Sequence, residues 1–336
     1  RNAHLPARVL AEHSETAYMT RRAIDFIRDA GDEPWSLHLS YIKPHWPYMV
    51  PSPYHNMYGV EDVLPVVRSD DERADPHPVV KAFMNHGEGV VLSDDSARHN
   101  VIPTYMGLVK ELDDHVGHLM TALSDLGRSD DTLIVLTSDH GDYLGDHWLG
   151  EKELFHEPSV RIPLIVADPS MSAEQSRGST SRALVEGIDL IPTFIDVLGG
   201  NPHQPWLEGR SFLDILHGRS AESRDFVVAE LDYFARKARL ELKVAADRAK
   251  GWMVRSDRWK YVFYEGFEPQ LFDLDNDPDE LTDRASDPSC QGVLDEHRDR
   301  LFHWFRCRKS TVTVDYDYLN TRHEFATRGG FIFGEW

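Results

Sequence analysis

Apolar residues recur at steps of three and four in two stretches of the chain, and both stretches are predicted to be helices. The first covers about residues 16–30, and Gly31 is a suitable residue for its carboxyl-terminal cap. The second ends at Gly127 and leads into a polar turn. Its apolar positions are Tyr105, Leu108, Leu112, Val116, Leu119, Leu123 and Leu126. Each helix therefore has one face to bury against a neighbouring layer.

Short apolar runs between these helical patterns are predicted to be strands. Residues 133–136 and 162–167 are continuous apolar runs, and residues 35–42 alternate between apolar and polar positions. Another helical pattern covers residues 184–198, where Pro192 predicts a kink or a late start. Helices that alternate with buried strands are typical of an α/β fold with a largely parallel central sheet.

The pattern changes after Asp225, where short candidate strands follow one another. They predict a small C-terminal antiparallel α+β subdomain, completed by a helix that carries Leu294 and Leu301. We therefore expect an α/β domain over residues 1–222, this subdomain over residues 223–310, and an extended tail over residues 311–336. The four candidate strands are residues 226–230, 252–255, 259–264 and 270–274.

Composition narrows the classes of function. The 336 residues include 36 Lys and Arg against 57 Asp and Glu, which gives a net charge of −21. A nucleic-acid-binding protein is not expected, because such proteins present a basic face. No apolar run reaches the length of a membrane-spanning helix. Cys290 and Cys307 lie far from any His cluster and suggest neither a disulfide framework nor a zinc knuckle.

Side chains that could bind a metal ion follow the predicted strand over residues 133–136. Asp139 and His140 come soon after it, and Gly141 allows the backbone to turn at once. Ligands of open α/β sheets bind at the carboxyl ends of the strands. A carboxylate beside an imidazole is a suitable pair of ligands for a divalent metal ion. The triplet alone favours an ordinary turn with a solvated His, whereas the residues that follow it favour the metal site.

Several motifs surround this turn in a fixed order. The chain reads Ser138-Asp-His-Gly141, Leu144-Gly-Asp-His147, Gly150-Glu-Lys152 and Arg161-Ile-Pro-Leu-Ile165, and upstream it reads Lys43-Pro-His-Trp-Pro47. Together they resemble the sulfatase family of the alkaline-phosphatase superfamily, and within it the phosphonate monoester hydrolase and phosphodiesterase-like members most closely. The resemblance covers nearly the whole chain. It implies an alkaline-phosphatase-like three-layer sandwich with a largely parallel central sheet.

The resemblance also implies which residues meet the ester group. The candidate catalytic and substrate-binding residues are His45, Lys152 and Lys43. A cation balances the charge on the non-bridging oxygens of a tetrahedral ester, and an imidazole can transfer a proton near neutral pH. Residues 55–103 carry few patterns and are expected to form a long loop, which either covers the mouth of the site or is a plain surface insertion.

Asp139 and His140 are the metal ligands that the resemblance implies, and His147 is expected to orient Asp139 or its turn. Many sulfatases have Asn at the position of His140, and imidazole suits transition metals better than calcium. We therefore expect a divalent metal, with manganese or zinc favoured and calcium as the alternative. The expected enzyme is a metal-dependent hydrolase of phosphonate monoesters or phosphodiesters, with sulfate esters as the alternative substrate class.

The nucleophile of the family is not found in this sequence. Sulfatases use a Cys or Ser in Cys/Ser-x-Pro-x-Arg that is oxidised to formylglycine, whereas Cys290 precedes Gln-Gly-Val and Cys307 precedes Arg-Lys-Ser. We expect the formylglycine and further metal ligands in a missing amino-terminal part, and no turnover by this chain alone. The alternative is a catalytically incompetent fragment or pseudoenzyme that acts as an interaction or structural module.

The expected partner is a small anionic ester, with no nucleic acid and no membrane. Phosphonate-hydrolase relatives carry an aromatic, glycine-rich tail like residues 311–336 and form oligomers, so we expect a homo-oligomer. A cytoplasmic location is favoured. The chain begins at Arg1 and not at a methionine, so the lack of a visible signal peptide decides little.

Overall fold

The structure is a computed structural model that describes residues 3–220 and 224–308. The chain divides into two compact units. Unit 1 consists of residues up to 170 together with residues 233–247, and unit 2 consists of residues 171–232 and the residues from 248 onward. The predicted boundaries at residues 222 and 310 stay a prediction. The tail over residues 311–336 lies outside the described residues.

The two predicted helices of unit 1 are confirmed. Ser14 caps the first, because its hydroxyl accepts a hydrogen bond from the Ala17 amide, and Gly31 ends it with a φ of 54°. The second helix is longer than predicted, and the first packs against it. The helices of unit 1 are α1 (Glu15–Ala30), α2 (Asp70–Ala74), α3 (Pro78–Met84), α4 (Gly87–Leu92), α5 (Asp95–Asp125), α6 (Glu157–Val160) and α9 (Lys237–Leu242).

The prediction of one long loop over residues 55–103 is wrong. The segment contains α2, α3, α4 and the first turns of α5. Helices of five to seven residues are too short to leave a periodic pattern, and packing rather than propensity stabilises them. The start of α5 was missed because Pro103 lies inside the helix.

Two predicted strands form the sheet of unit 1, but the expected parallel pairing is not found between them. Strands β1 (Ile134–Thr137) and β2 (Leu164–Ala167) are antiparallel, with Thr137 opposite Leu164. A parallel pair needs a crossover that returns the chain to the other end of the sheet. The connection between β1 and β2 contains only short helical turns and comes back at the same end. Residues 35–42, predicted as a strand, form no strand in the described part of the chain.

Unit 2 contains the predicted antiparallel sheet and its helix. The strands run in the order β3, β4, β5, β6, and each is antiparallel to its neighbour. Buried Val254, Tyr261 and Leu271 of the sheet pack with Leu294 and Leu301 of the last helix. Pro192 lies in the first turn of α7, which confirms the predicted late start. The elements are α7 (Leu190–Val197), α8 (Leu213–Leu216), β3 (Val227–Asp232), β4 (Lys250–Arg255), β5 (Trp259–Tyr264), β6 (Gln270–Asp273) and α10 (Gln291–Cys307).

Among residues 3–220 and 224–308, no helix combines the length and the apolar character required to cross a membrane.

Candidate active site

The turn after β1, residues 138–152, is called the site turn. The backbone at the start of this turn packs closely against Pro158 at Gly141. A Cβ at position 141 would lie 1.9 Å from the carbonyl oxygen of Pro158. The Gly141 amide donates to the carbonyl of Ser159 at 2.8 Å. Only glycine allows this close approach of two backbone segments, so the residues just before it are held in one place.

Asp139 and His140 lie side by side at the start of the site turn. Nδ1 of His140 donates to the Gly141 carbonyl at 2.7 Å, so Nε2 is the ring nitrogen available to a ligand. That Nε2 is 3.6 Å from Oδ2 of Asp139. The Asp139 side chain is 88% exposed, so its carboxylate is accessible. The pair presents one nitrogen and one oxygen ligand close to each other.

These two ligands fit a divalent metal ion. Two tetrahedral ligands of zinc, each about 2.1 Å from the ion, lie about 3.4 Å apart. The 3.6 Å between the Nε2 and Oδ2 atoms is close to that spacing. The bond from Nδ1 to the Gly141 carbonyl is the usual outer contact that orients a metal-binding imidazole. Within residues 3–220 and 224–308, no cluster of three or more His, Cys, Asp or Glu side chains is placed to hold a metal. Asp139 and His140 would therefore supply two ligands.

His45 and Lys152 come together although they are 107 residues apart in the sequence. Nδ1 of His45 donates to the carbonyl of Trp46 at 2.9 Å, so Nε2 accepts the hydrogen bond from Nζ of Lys152, also at 2.9 Å. The imidazole rings of His45 and His140 are 6.1 Å apart between centroids. Four of the predicted site residues therefore share one region of unit 1.

Lys43 lies in the segment that presents His45, residues 42–48, here called the His45 segment. Its ammonium donates to the carbonyls of His45 at 3.1 Å and Pro47 at 2.8 Å. Burial lowers the pKa of Lys43, and the nearby carboxylates of Glu15 and Glu111 act in the opposite direction. In this structure Lys43 holds the backbone of its own segment. Its predicted contact with substrate stays a prediction.

His147 is buried and has a φ of 53°. Its Nδ1 is 2.7 Å from Oε1 of Glu72 in α2, and its ring stacks on His156 with centroids 4.0 Å apart. Its amide donates to the carbonyl of Val67 at 2.8 Å. These contacts fasten the α2 region to the site turn, and the predicted role of His147 in orienting Asp139 stays a prediction.

Sequence reasoning assigned no role in the site to Asp142, Tyr48 or Tyr105. The hydroxyl of Tyr48 donates to Oδ2 of Asp142 at 2.7 Å, and the rings of Tyr48 and Tyr105 pack edge to face at 6.1 Å. Burial raises the pKa of Asp142, and the Tyr48 hydrogen bond partly offsets this. The one available signal was the second acid of Asp139-His-Gly-Asp142, and nothing in the sequence pointed to its tyrosine partner.

Comparison with known proteins identifies the family. The family model described as Sulfatase matches residues 6–200, which is more than half of the chain. The chain belongs to the sulfatase family. A second family model, described as N-sulphoglucosamine sulphohydrolase, C-terminal, matches residues 145–306 of this sulfatase-family chain. The predicted family is thereby confirmed.

Similar proteins include an alkaline phosphatase superfamily protein and a choline-sulfatase. The multifunctional alkaline phosphatase superfamily protein PehA of Trinickia caryophylli is 31% identical over 316 residues, which is 89% of this chain and 61% of that protein. The choline-sulfatase of Rhizobium meliloti (strain 1021) is 31% identical over 302 residues, which is 86% of this chain and 55% of that protein. The sulfatase-family chain thus spans about three fifths of the length of these relatives.

The solved structures confirm the α/β, alkaline-phosphatase-like fold class. The phosphonate monoester hydrolase of Silicibacter pomeroyi matches with a TM-score of 0.84 and 28% identity, over 93% of this chain and 64% of that one. The phosphonate monoester hydrolase of Agrobacterium radiobacter matches with a TM-score of 0.81 and 28% identity, over 89% of this chain and 62% of that one. Members of the sulfatase family are ester hydrolases that generally use a divalent metal and a formylglycine.

Proposed function

We propose that the complete protein hydrolyses phosphonate monoesters or phosphodiesters at the site that contains His45, Lys152, Asp139 and His140. The observation that carries the proposal is the 2.9 Å contact between Nζ of Lys152 and Nε2 of His45, beside the imidazole of His140. Two candidate anion-binding groups and two candidate metal ligands thus lie close together in unit 1. The similarity to two phosphonate monoester hydrolases supports phosphorus esters over sulfate esters, which are the second candidate.

The protein groups have distinct tasks in this proposal. The ammonium of Lys152 balances the negative charge on the non-bridging oxygens of the ester. The ring of His45 is held by the Trp46 carbonyl at Nδ1, so Nε2 faces Lys152 and the ester. When Nε2 takes up a proton in place of its hydrogen bond from Lys152, it can give that proton to the leaving oxygen. Lys43 keeps His45 in place and adds a second positive charge nearby.

Asp139 and His140 would hold the divalent metal. When bound, the metal acts as a Lewis acid and lowers the pKa of the nucleophile. We propose manganese or zinc, because an imidazole is among the ligands, and a formylglycine as the nucleophile, as in the family generally. We also propose a small anionic ester as the substrate, a homo-oligomer and a cytoplasmic location.

The proposal is tested by assaying purified protein that contains this chain, with manganese or zinc added. The substrates are p-nitrophenyl phenylphosphonate, bis-p-nitrophenyl phosphate and p-nitrophenyl sulfate. We expect the two phosphorus esters to have the higher kcat/KM. Lys152→Ala should lower kcat/KM for each hydrolysed ester by about 100-fold, since it removes a group that stabilises the transition state.

The matched control is Lys110→Ala, which removes another partly exposed lysine of unit 1 that pairs with Asp113 and Asp114 on α5. It should leave kcat/KM unchanged. A higher kcat/KM for the sulfate would favour the second candidate. Equal activity of the Lys152→Ala and Lys110→Ala variants would contradict the proposed site.

A further inference from the structure

The His45 segment needs an anchor. In the described part of the chain it belongs to no helix or strand. Apart from the contact between Nε2 of His45 and the long side chain of Lys152, its bonds are local. Nζ of Lys43 donates to the His45 and Pro47 carbonyls, and the His45 amide donates to the Ile42 carbonyl at 3.0 Å. These bonds give the segment its shape. They do not fix its distance from the site turn, where His140 and Lys152 lie.

We propose that Tyr48 is a positioning residue that sets the place of His45 relative to His140 through its hydrogen bond to Asp142. This bond, 2.7 Å from the Tyr48 hydroxyl to Oδ2, joins residues 94 apart in the sequence. It connects the end of the His45 segment directly to the site turn, two residues after His140. The inference rests on the proposed function, because it concerns the same anion site.

Asp142 is a suitable anchor because its own position is fixed. Its Oδ1 accepts a hydrogen bond from the Leu144 amide at 3.1 Å. On one side of it, Gly141 is packed against the Pro158 carbonyl, and on the other the Tyr143 amide donates to Glu151 at 2.8 Å. A side chain that a rigid turn holds in place can in turn hold its hydrogen-bond partner in place.

Tyr48 is also held on its ring. It packs edge to face against Tyr105 of α5, at 6.1 Å between centroids and 70° between planes. Burial, together with the neighbouring Asp142 carboxylate, raises the pKa of Tyr48, so the phenol keeps its proton and remains a donor. Because Lys43 ties the His45 and Pro47 carbonyls together, a shift of Tyr48 is passed on to His45.

The test compares Tyr48→Phe with Tyr54→Phe. Tyr54 is a matched control, because its hydroxyl also donates to an aspartate of unit 1, Oδ2 of Asp114, at 3.0 Å. Each variant loses one tyrosine–aspartate hydrogen bond, so both should lose similar thermal stability. The imidazole NMR signals of His45 and His140 report position, and titration with inorganic phosphate reports anion affinity.

We expect Tyr48→Phe to shift the His45 signals and to weaken phosphate binding about tenfold, the lower end of what an outer contact of a site contributes. Tyr54→Phe should change neither. Wild-type His45 signals and wild-type phosphate affinity in Tyr48→Phe would overturn the inference. Failure of the wild-type protein to bind phosphate would count against the proposed function instead, while the His45 signals would still decide the role of Tyr48.

A second variant covers the case in which Tyr48→Phe does not fold. Asp142→Asn keeps an oxygen that can accept from the Tyr48 hydroxyl, and it removes a negative charge near the anion. We expect phosphate affinity equal to or higher than that of the wild-type protein. The His45 signals should stay at their wild-type positions, because the hydrogen bond from Tyr48 is kept. Shifted His45 signals in Asp142→Asn would mean that the charge of Asp142, and not this hydrogen bond, sets the place of His45, and the positioning role would be rejected.

Discussion

The ion pair between Lys260 and Glu280 allows a quantitative prediction for unit 2. Nζ of Lys260 lies 2.6 Å from Oε1 of Glu280, and the two side chains are 0% and 1% exposed. Lys260 is on β5, which pairs with both β4 and β6. Replacing Lys260 by Met keeps a stem of similar length in the core and removes the charge. The carboxylate of Glu280 then remains buried without its ammonium partner.

Removing one member of a buried ion pair costs about 3–5 kcal/mol, mainly because the other charge is left in a medium of low polarity. We therefore expect Lys260→Met to lower the free energy of unfolding by about 4 kcal/mol. Methionine has nearly the volume of the lysine stem, so a packing defect should add less than about 1.5 kcal/mol. Since whole domains are stable by about 5–15 kcal/mol, the effect is easily measured.

The assay is urea unfolding followed by tryptophan fluorescence and circular dichroism. The control is Lys250→Met, the same substitution at a partly exposed lysine on β4, which should stay within about 0.5 kcal/mol of the wild-type protein. The double variant Lys260→Met/Glu280→Gln should recover at least about 2 kcal/mol of the single-variant loss, because no charge stays buried. A loss below about 1 kcal/mol for Lys260→Met, or no recovery in the double variant, would refute the reasoning.

Three further predictions concern single positions. Gly141→Ala places a methyl group at 1.9 Å from the Pro158 carbonyl oxygen, so urea unfolding should show a loss of at least about 2 kcal/mol, and a loss within error would contradict the close packing. Arg258 donates two hydrogen bonds to Asp273 and lowers the pKa of the Asp273 carboxyl. The ionised carboxylate therefore stabilises the folded protein. This stabilisation is complete at pH values above the usual pKa of an aspartate and is lost as the pH falls through the lowered folded-state pKa. Asp273→Asn should therefore destabilise more at pH 7 than at pH 3 in urea midpoints, and a deficit that does not depend on pH would contradict this. Burial raises the pKa of Glu111, so the folded protein binds that proton more tightly and loses stability as the pH rises. As the pH rises from 5 to 8, the stability of Glu111→Gln relative to the wild-type protein should increase. A difference in thermal unfolding midpoint that stays constant over this range would count against the prediction.

Local features of the fold could be predicted from the sequence. The apolar steps of α1 and the later part of α5 depend only on the 3.6-residue period, and Gly31 and Gly127 mark their ends. The four strands of unit 2 were predicted because each is short, apolar and bounded by turn residues. Helices α2, α3 and α4 were missed, since packing against other segments determines them and not their own periodicity.

For the candidate site, the sequence by itself determined the neighbours that the covalent chain places together. Asp139 and His140 are adjacent residues, and Gly141 follows them, so their turn and the two candidate metal ligands it carries needed no tertiary information. Only the tertiary structure decided that Lys152 meets His45, that Tyr48 meets Asp142, and that β1 and β2 are antiparallel. The physical reason is that periodicity and motif spacing report which side chains are buried or chemically active. The partner of each is decided by how distant segments pack in three dimensions.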